Sequence, residues 1–170
     1  MAKIDFAKIA ENAQKEIKER ELPAGGYVVK IIYVVEMPDK ECFKVYYDIA
    51  EGEYEGLYCG ISTSSFYPGM FFVSYKETAY MYLARFLRLI QESNPAFTLL
   101  DEESGLVDTE QIVRPLIGQL IGIVIRKEEY LNKYGEIGIK NAVIEYTNIE
   151  QIRTGDYATI SAIKRYGEKS

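Results

Sequence analysis

The chain has 170 residues, 48% hydrophobic and 27% charged, with a formal net charge of −6, two cysteines and no histidine. That length suits one domain with appendages and a substantial core, and the balance of apolar and charged residues excludes a disordered or fibrous chain. Without histidine there is no Ser-His-Asp arrangement, no His-containing zinc site and no use of the commonest general base.

Cys42 and Cys59 are too few for a disulfide framework or a structural zinc site, and read as reduced thiols within or beside strands. No apolar run approaches the roughly 20 residues that cross a bilayer. The start, Met-Ala-Lys-Ile-Asp-Phe-Ala-Lys, alternates charge with apolar residues instead of forming a signal-peptide core. A cytoplasmic protein with no membrane partner is expected.

In chain order, residues 5–20 predict a helix. Phe6, Ile9, Ala10, Ala13 and Ile17 recur at three- and four-residue spacing, with Lys8, Glu11, Lys15, Glu16, Lys18 and Glu19 on the other side. Pro23 and Gly25-Gly26 stop it, and its narrow apolar stripe predicts packing on the domain or on a neighbouring subunit. Residues 27–36 predict a strand rich in β-branched and aromatic side chains, followed by the turn Met37-Pro38-Asp39-Lys40. Residues 42–50 alternate, with Phe43, Val45, Tyr47 and Ile49 inward and Lys44, Tyr46 and Asp48 outward. After the turn at 51–56, residues 57–62 predict a third strand and complete an antiparallel meander.

Residues 62–70 read as a loop with exposed aromatics Phe66 and Tyr67. Ser74-Tyr-Lys-Glu77 has capping-box spacing ahead of a helical stripe of Ala79, Leu83, Phe86, Leu87 and Ile90, which ends before Asn94-Pro95. Residues 97–114 form an acidic connection in which Asp108-Thr-Glu-Gln111 caps one or two helical turns ahead of Pro115. The β-rich runs 119–126 and 136–146 flank a polar turn at 127–135 and predict a hairpin whose tip mixes cations with aromatic rings. A short helical turn at 149–152, a break at Thr154-Gly155-Asp156 and a positive tail close the chain.

The net negative charge opposes nucleic-acid binding globally, since neutralising phosphates takes Lys and Arg. Its distribution does not: the acids concentrate in 36–55 and 101–110, and the remainder is mildly basic around the hairpin. Asp101, Glu102, Glu103, Asp108 and Glu110 could bind a hard cation, but read as a solvated acidic loop. There is no phosphate-binding glycine loop; Gly25, Gly26, Gly52 and Gly56 suit turns.

Three meandering strands, a helix and a closing hairpin is the element order of an OB-fold. The expected fold class is therefore all-β with accessory helices: a five-stranded OB-fold barrel over residues 22–157, preceded by the helix of residues 1–21 and followed by a tail over 158–170. Several stretches resemble the small single-stranded-DNA-binding proteins encoded by phages, prophages and conjugative elements of Gram-positive bacteria. They are Leu22-Pro-Ala-Gly-Gly-Tyr-Val-Val-Lys-Ile-Ile32, Tyr47-Asp-Ile-Ala-Glu-Gly-Glu-Tyr-Glu-Gly56, Ser74-Tyr-Lys-Glu77, Glu92-Ser-Asn-Pro95, Gly122-Ile-Val-Ile-Arg-Lys-Glu-Glu-Tyr130 and Ile152-Arg-Thr-Gly-Asp-Tyr157.

The resemblance implies sequence-nonspecific binding of single-stranded DNA in replication or recombination of a mobile element, with homo-oligomers common, and no catalytic motif lies among the matches. The loop 61–72 is less charged than the resemblance leads one to expect, and recruitment of partners through an acidic C-terminus is not expected. In OB-folds nucleic acid lies over the second and third strands, between the first and last strand-joining loops. Carried over by position, the DNA-binding candidates are Lys30, Lys44, Tyr46, Tyr58, Arg126, Lys127, Tyr130, Lys133, Tyr134 and Lys140. No enzymatic activity, cofactor, metal or small-molecule substrate is expected. The alternative is a structural, protein–protein subunit of a phage or mobile element, in which the N-terminal stripe and the tyrosine-rich surface make subunit contacts.

Overall fold

A computed structural model describes residues 2–19, 22–62, 67–98, 105–160 and 162–167, with residues 13–19 described by backbone alone. The order of elements is α1 (Phe6–Glu19), β1 (Gly25–Met37), β2 (Cys42–Ile49), β3 (Met70–Ser74), α2 (Tyr80–Ser93), α3 (Thr109–Leu116), β4 (Leu120–Leu131), β5 (Ile137–Thr147) and α4 (Ile149–Thr154). The five strands form one antiparallel sheet in the order β3-β2-β1-β4-β5. Phe66 and Asp101, Glu102 and Glu103 lie outside the described residues. Among the described residues no helix is long and apolar enough to cross a membrane.

One face of the sheet is greasy because alternation in β2 and β3 places Phe43, Val45, Tyr47 and Phe71 inward, where they meet Ile31, Ile121 and Ile123. α2 closes that face with Leu83, Phe86 and Ile90, the spacing expected of its apolar stripe. Asn94 fixes the helix end to β4: its amide nitrogen donates to the carbonyls of Ile90 (2.8 Å) and Leu120 (2.7 Å), and its oxygen accepts from the Leu120 N–H (2.8 Å). The opposite face is covered near the start of β1, where α4 packs on Gly122 and the Tyr157 ring lies over Gly26.

The sheet curves without closing. Its edges β3 and β5 share no ladder, so the closed five-stranded barrel expected from the element order is not formed. They do touch: the Tyr146 ring of β5 sits 5.2 Å from Phe71 of β3, and its hydroxyl donates to the Phe72 carbonyl at 3.4 Å.

Three expectations about elements are corrected. Residues 57–62 form no strand, because Gly52, Gly56 and Gly60 each take positive φ and turn the chain at every fourth residue; the third strand is Met70–Ser74, within and beyond the segment read as loop. Ser74 does not cap a helix; its hydroxyl accepts from the Lys76 N–H at 3.2 Å, and α2 begins at Tyr80 after a short 3-10 turn. The last hairpin is longer than expected, with β4 reaching Leu131 and β5 starting at Ile137. Its turn is organised by Asn132, whose side-chain oxygen accepts from Tyr134 and Glu136 N–H, both at 2.9 Å, with Gly135 at φ 77°. The capping box at Asp108 and Gln111 is present, and α3 runs through Pro115 to Leu116.

Candidate nucleic-acid interface

The outer face of β1, β2 and β3 carries rings together with cations that pair with no acid among the described residues. In β2, Lys44, Tyr46 and Asp48 point outward by alternation. In β1 a bulge intervenes: Ile31 pairs with Tyr47 and Tyr33 pairs with Tyr46, so Ile32 is the extra residue. The bulge puts Lys30 and Tyr33, three residues apart, on the same outward side. In β3, Phe71 and Val73 point inward and Phe72 outward, directly opposite Lys44. Tyr33 and Phe72 are 48% and 46% exposed.

Tyr46 does not present a free ring, contrary to its outward parity. It is 7% exposed because Tyr33 stacks on it at 6.3 Å with 30° between planes, while Tyr67 meets it edge-on at 5.6 Å. The Lys44 ammonium lies 5.2 Å from its centroid. Tyr46 thus backs Tyr33, and Tyr67, expected to be exposed, is buried against Tyr46 and Tyr58.

Tyr58 is also displaced from the surface, being 3% exposed and edge-on to Tyr47 and Tyr67. Burial pushes its hydroxyl up to about 12, with the nearby Asp48 carboxylate adding to the rise and a hydrogen bond with Asn141 opposing it. Neither ring can stack on a base without leaving the core.

The arm formed by the ends of β4 and β5 carries the other candidates on different sides. Arg126, Glu128, Tyr130 and Lys140 share one face, since Arg126 pairs with Ala142, Glu128 with Lys140 and Tyr130 with Gly138. Tyr130 lies flat on Gly138, where an added Cβ would stand 2.8 Å from the ring, and Lys140 sits 5.9 Å from its centroid. Lys127 has the opposite parity, and its carbonyl accepts from the Lys164 N–H of the C-terminal tail (3.0 Å). Lys133 and Tyr134 form a cation–ring pair at the tip, 5.2 Å apart, with Tyr134 75% exposed.

The ladder fixes how far apart these groups are. The β1–β2 turn, Pro38–Lys40, is at the far end of β1 from Gly25, which pairs with Ile125 where the arm begins. The ten candidates therefore divide into a central face (Lys30, Lys44, with Tyr46 beneath), an arm face (Arg126, Tyr130, Lys140), a tip (Lys133, Tyr134), and two that share neither, Lys127 and the interior Tyr58.

Arg85, Arg114, Arg126, Arg153 and Arg165 each pair with a glutamate, whereas Lys30, Lys44, Lys133 and Lys140 pair with no acid among the described residues. Arg126 is the clearest loss to the candidate set, its side chain only 17% exposed and held by Glu128 at 3.2 Å. Asp48, opposite Lys30, is occupied by the N–H groups of Ile49 (2.8 Å) and Tyr58 (2.9 Å). Of the acids considered for a cation, Asp108 caps α3 and Glu110 faces Arg114; among the described residues no group of acids or cysteines is arranged to hold a metal.

Tyr33 and Phe72 were missed by sequence reasoning for identifiable reasons. A one-residue bulge reverses parity along β1, and nothing in Lys30-Ile-Ile-Tyr33 announces it. For Phe72 a signal existed: Met70-Phe-Phe-Val-Ser74 is a β-rich run bounded by Gly69, and strict alternation makes Phe72 the outward ring.

Compared with protein-family models the chain matches none, and no curated protein matches it significantly.

Proposed function

We propose that the protein binds single-stranded DNA without sequence preference, through the outer face of β1, β2 and β3, and performs no chemistry. The observation that carries this reading is the pair of half-exposed rings, Tyr33 and Phe72, on one sheet face with the unpaired cations Lys30 and Lys44. Every base has a flat face and every nucleotide a phosphate, so rings interleaved with ammonium groups bind single strands irrespective of sequence. Tyr33 is suited to the task because it stacks on Tyr46, which Tyr67 in turn holds edge-on, leaving less side-chain entropy to lose on stacking.

The open sheet is read here as an OB-type barrel with an unclosed seam. What supports it is β1 standing between β2 and β4, a helix between β3 and β4 in the chain, and edges that meet through Tyr146. The sequence resemblance adds the setting, replication or recombination of a mobile genetic element in the cytoplasm. The arm tip, Lys133 and Tyr134, then extends the track toward the far end of the sheet. The net charge of −6 keeps phosphate binding local to these lysines.

Titration of a fluorescent oligo-dT at several salt concentrations tests the proposal. Binding that weakens as salt rises supports it. No binding at low salt overturns it and favours a structural, protein–protein subunit, for which the exposed apolar side chains of α1 already speak.

A further inference from the structure

Among the described residues two apolar surfaces are left exposed. The first is α1. Every described side chain of this helix is exposed, including Phe6 and Ile9, and Ile4 just ahead of it is exposed as well. An isolated 14-residue helix is marginal in water, and an amphipathic one is ordinarily stabilised by what its apolar stripe covers.

The second is the face of the arm turned away from Tyr130 and Lys140. Leu131 pairs with Ile137 and Glu129 with Ile139, so Leu131, Ile137 and Ile139 share that face, each about half exposed. β4 extends beyond β1 here, so this end of the hairpin lacks the neighbouring strand that supports the rest of the sheet, and a two-stranded hairpin is marginally stable by itself. The tail crosses the arm at Lys164, Arg165 and Tyr166, anchored on Glu129, but leaves the three apolar side chains open.

Both surfaces spring from the same end of the sheet. Gly25 pairs with Ile125, and the chain leading out of α1 is pinned there by Leu22, which is fully buried, and by the Pro23 carbonyl, which accepts from the Tyr27 hydroxyl at 2.5 Å. Despite this proximity the described apolar side chains of both surfaces stay exposed within one chain.

We propose that the protein forms a two-fold dimer in which α1 of each copy lies on the Leu131, Ile137 and Ile139 face of the other copy's arm. Size selects the reciprocal arrangement. A helix of this length, with its roughly 1.5 Å rise per residue, buries on the order of 800 Å² over both partners, below the roughly 1,200–2,000 Å² of stable interfaces. Two such contacts related by a two-fold axis reach that range, and the closed exchange leaves no helix or arm free to continue a filament. The outer face with Tyr33 and Phe72 is not used, so the dimer stands or falls independently of DNA binding.

The test uses the full chain with Cys59, the exposed cysteine, changed to serine. Light scattering at tens of micromolar should give twice the 19.5 kDa chain mass, and Phe6→Asp with Ile9→Asp, or Ile137→Asp with Ile139→Asp, should each return it to the single mass while the circular dichroism of the sheet is kept. Mixing a Phe6→Cys protein with an Ile139→Cys protein under mild oxidation should give a disulfide-linked pair containing one of each. A single-chain mass for the unsubstituted protein overturns the proposal. So does a Phe6→Cys, Ile139→Cys chain that links only within itself, which would mean α1 covers its own arm, and so does a pair linked only through two Phe6→Cys copies, which would mean helix packs on helix.

Discussion

Lys44 of β2 and Phe72 of β3 stand directly opposite each other on the outer side of the sheet, an unpaired ammonium beside a ring with nearly half its surface open. On the other flank of β2, Tyr33 stacks over Tyr46. A cation and two half-open rings on one face of three adjacent strands are the arrangement on which the functional reading depends.

Removing either open ring should weaken single-strand binding without unfolding the protein. Tyr33→Ala and Phe72→Ala each delete one stacking platform, for an expected loss of about 1–3 kcal/mol, or about 5- to 150-fold in Kd. Fluorescence anisotropy with oligo-dT reads the change, and urea unfolding checks that the fold is kept.

The lysines should act through salt dependence instead. Lys30→Ala and Lys44→Ala each remove one phosphate contact, lowering the slope of log affinity against log salt by about 0.7. Arg126→Ala should leave that slope unchanged, because its guanidinium is already held by Glu128.

Tyr58 should behave as a core residue. Tyr58→Ala is expected to cost about 3–5 kcal/mol of stability by leaving a cavity among Tyr47 and Tyr67. Tyr58→Phe should keep full affinity for DNA, which a stacking or phosphate-contacting role for the hydroxyl would not predict.

Alkaline pH should unfold the chain through its buried phenols. Burial raises Tyr58 and Tyr146 to about 12, against an ordinary value near 10. A raised value in the folded state favours the neutral phenol, so its contribution is fully present below pH 10 and is lost as pH climbs through about 12. Circular dichroism against pH should show the sheet signal falling in that window, and Tyr146→Phe, which has nothing to ionise, should move the midpoint upward. A midpoint unchanged by that substitution would contradict the assignment.

Much of this architecture was legible in the chain. β2 alternates so regularly that its two faces could be assigned residue by residue, and the stripe Leu83, Phe86, Ile90 ending at Asn94 located α2 and its stop. What escaped is what local pattern does not encode. Glycines spaced four apart at 52, 56 and 60 made turns where Leu57 and Tyr58 suggested a strand. A bulge at Ile32 moved Tyr33 outward. Tyr46 and Tyr58 have outward or ambiguous parity but are buried by rings from distant loops, a tertiary effect. Of the candidates read from the sequence, Lys30 and Lys44 lie on the outer face of the sheet, whereas Tyr46 and Tyr58 are buried.

The most direct measurement of the central claim locates the DNA. An oligonucleotide carrying 5-iodouracil is irradiated in complex with the protein, and the linked peptides are identified by mass spectrometry. Cross-links to Tyr33 and Phe72 are the predicted result. Cross-links confined to Tyr134 and the arm, or none in a complex shown to be saturated, would contradict it.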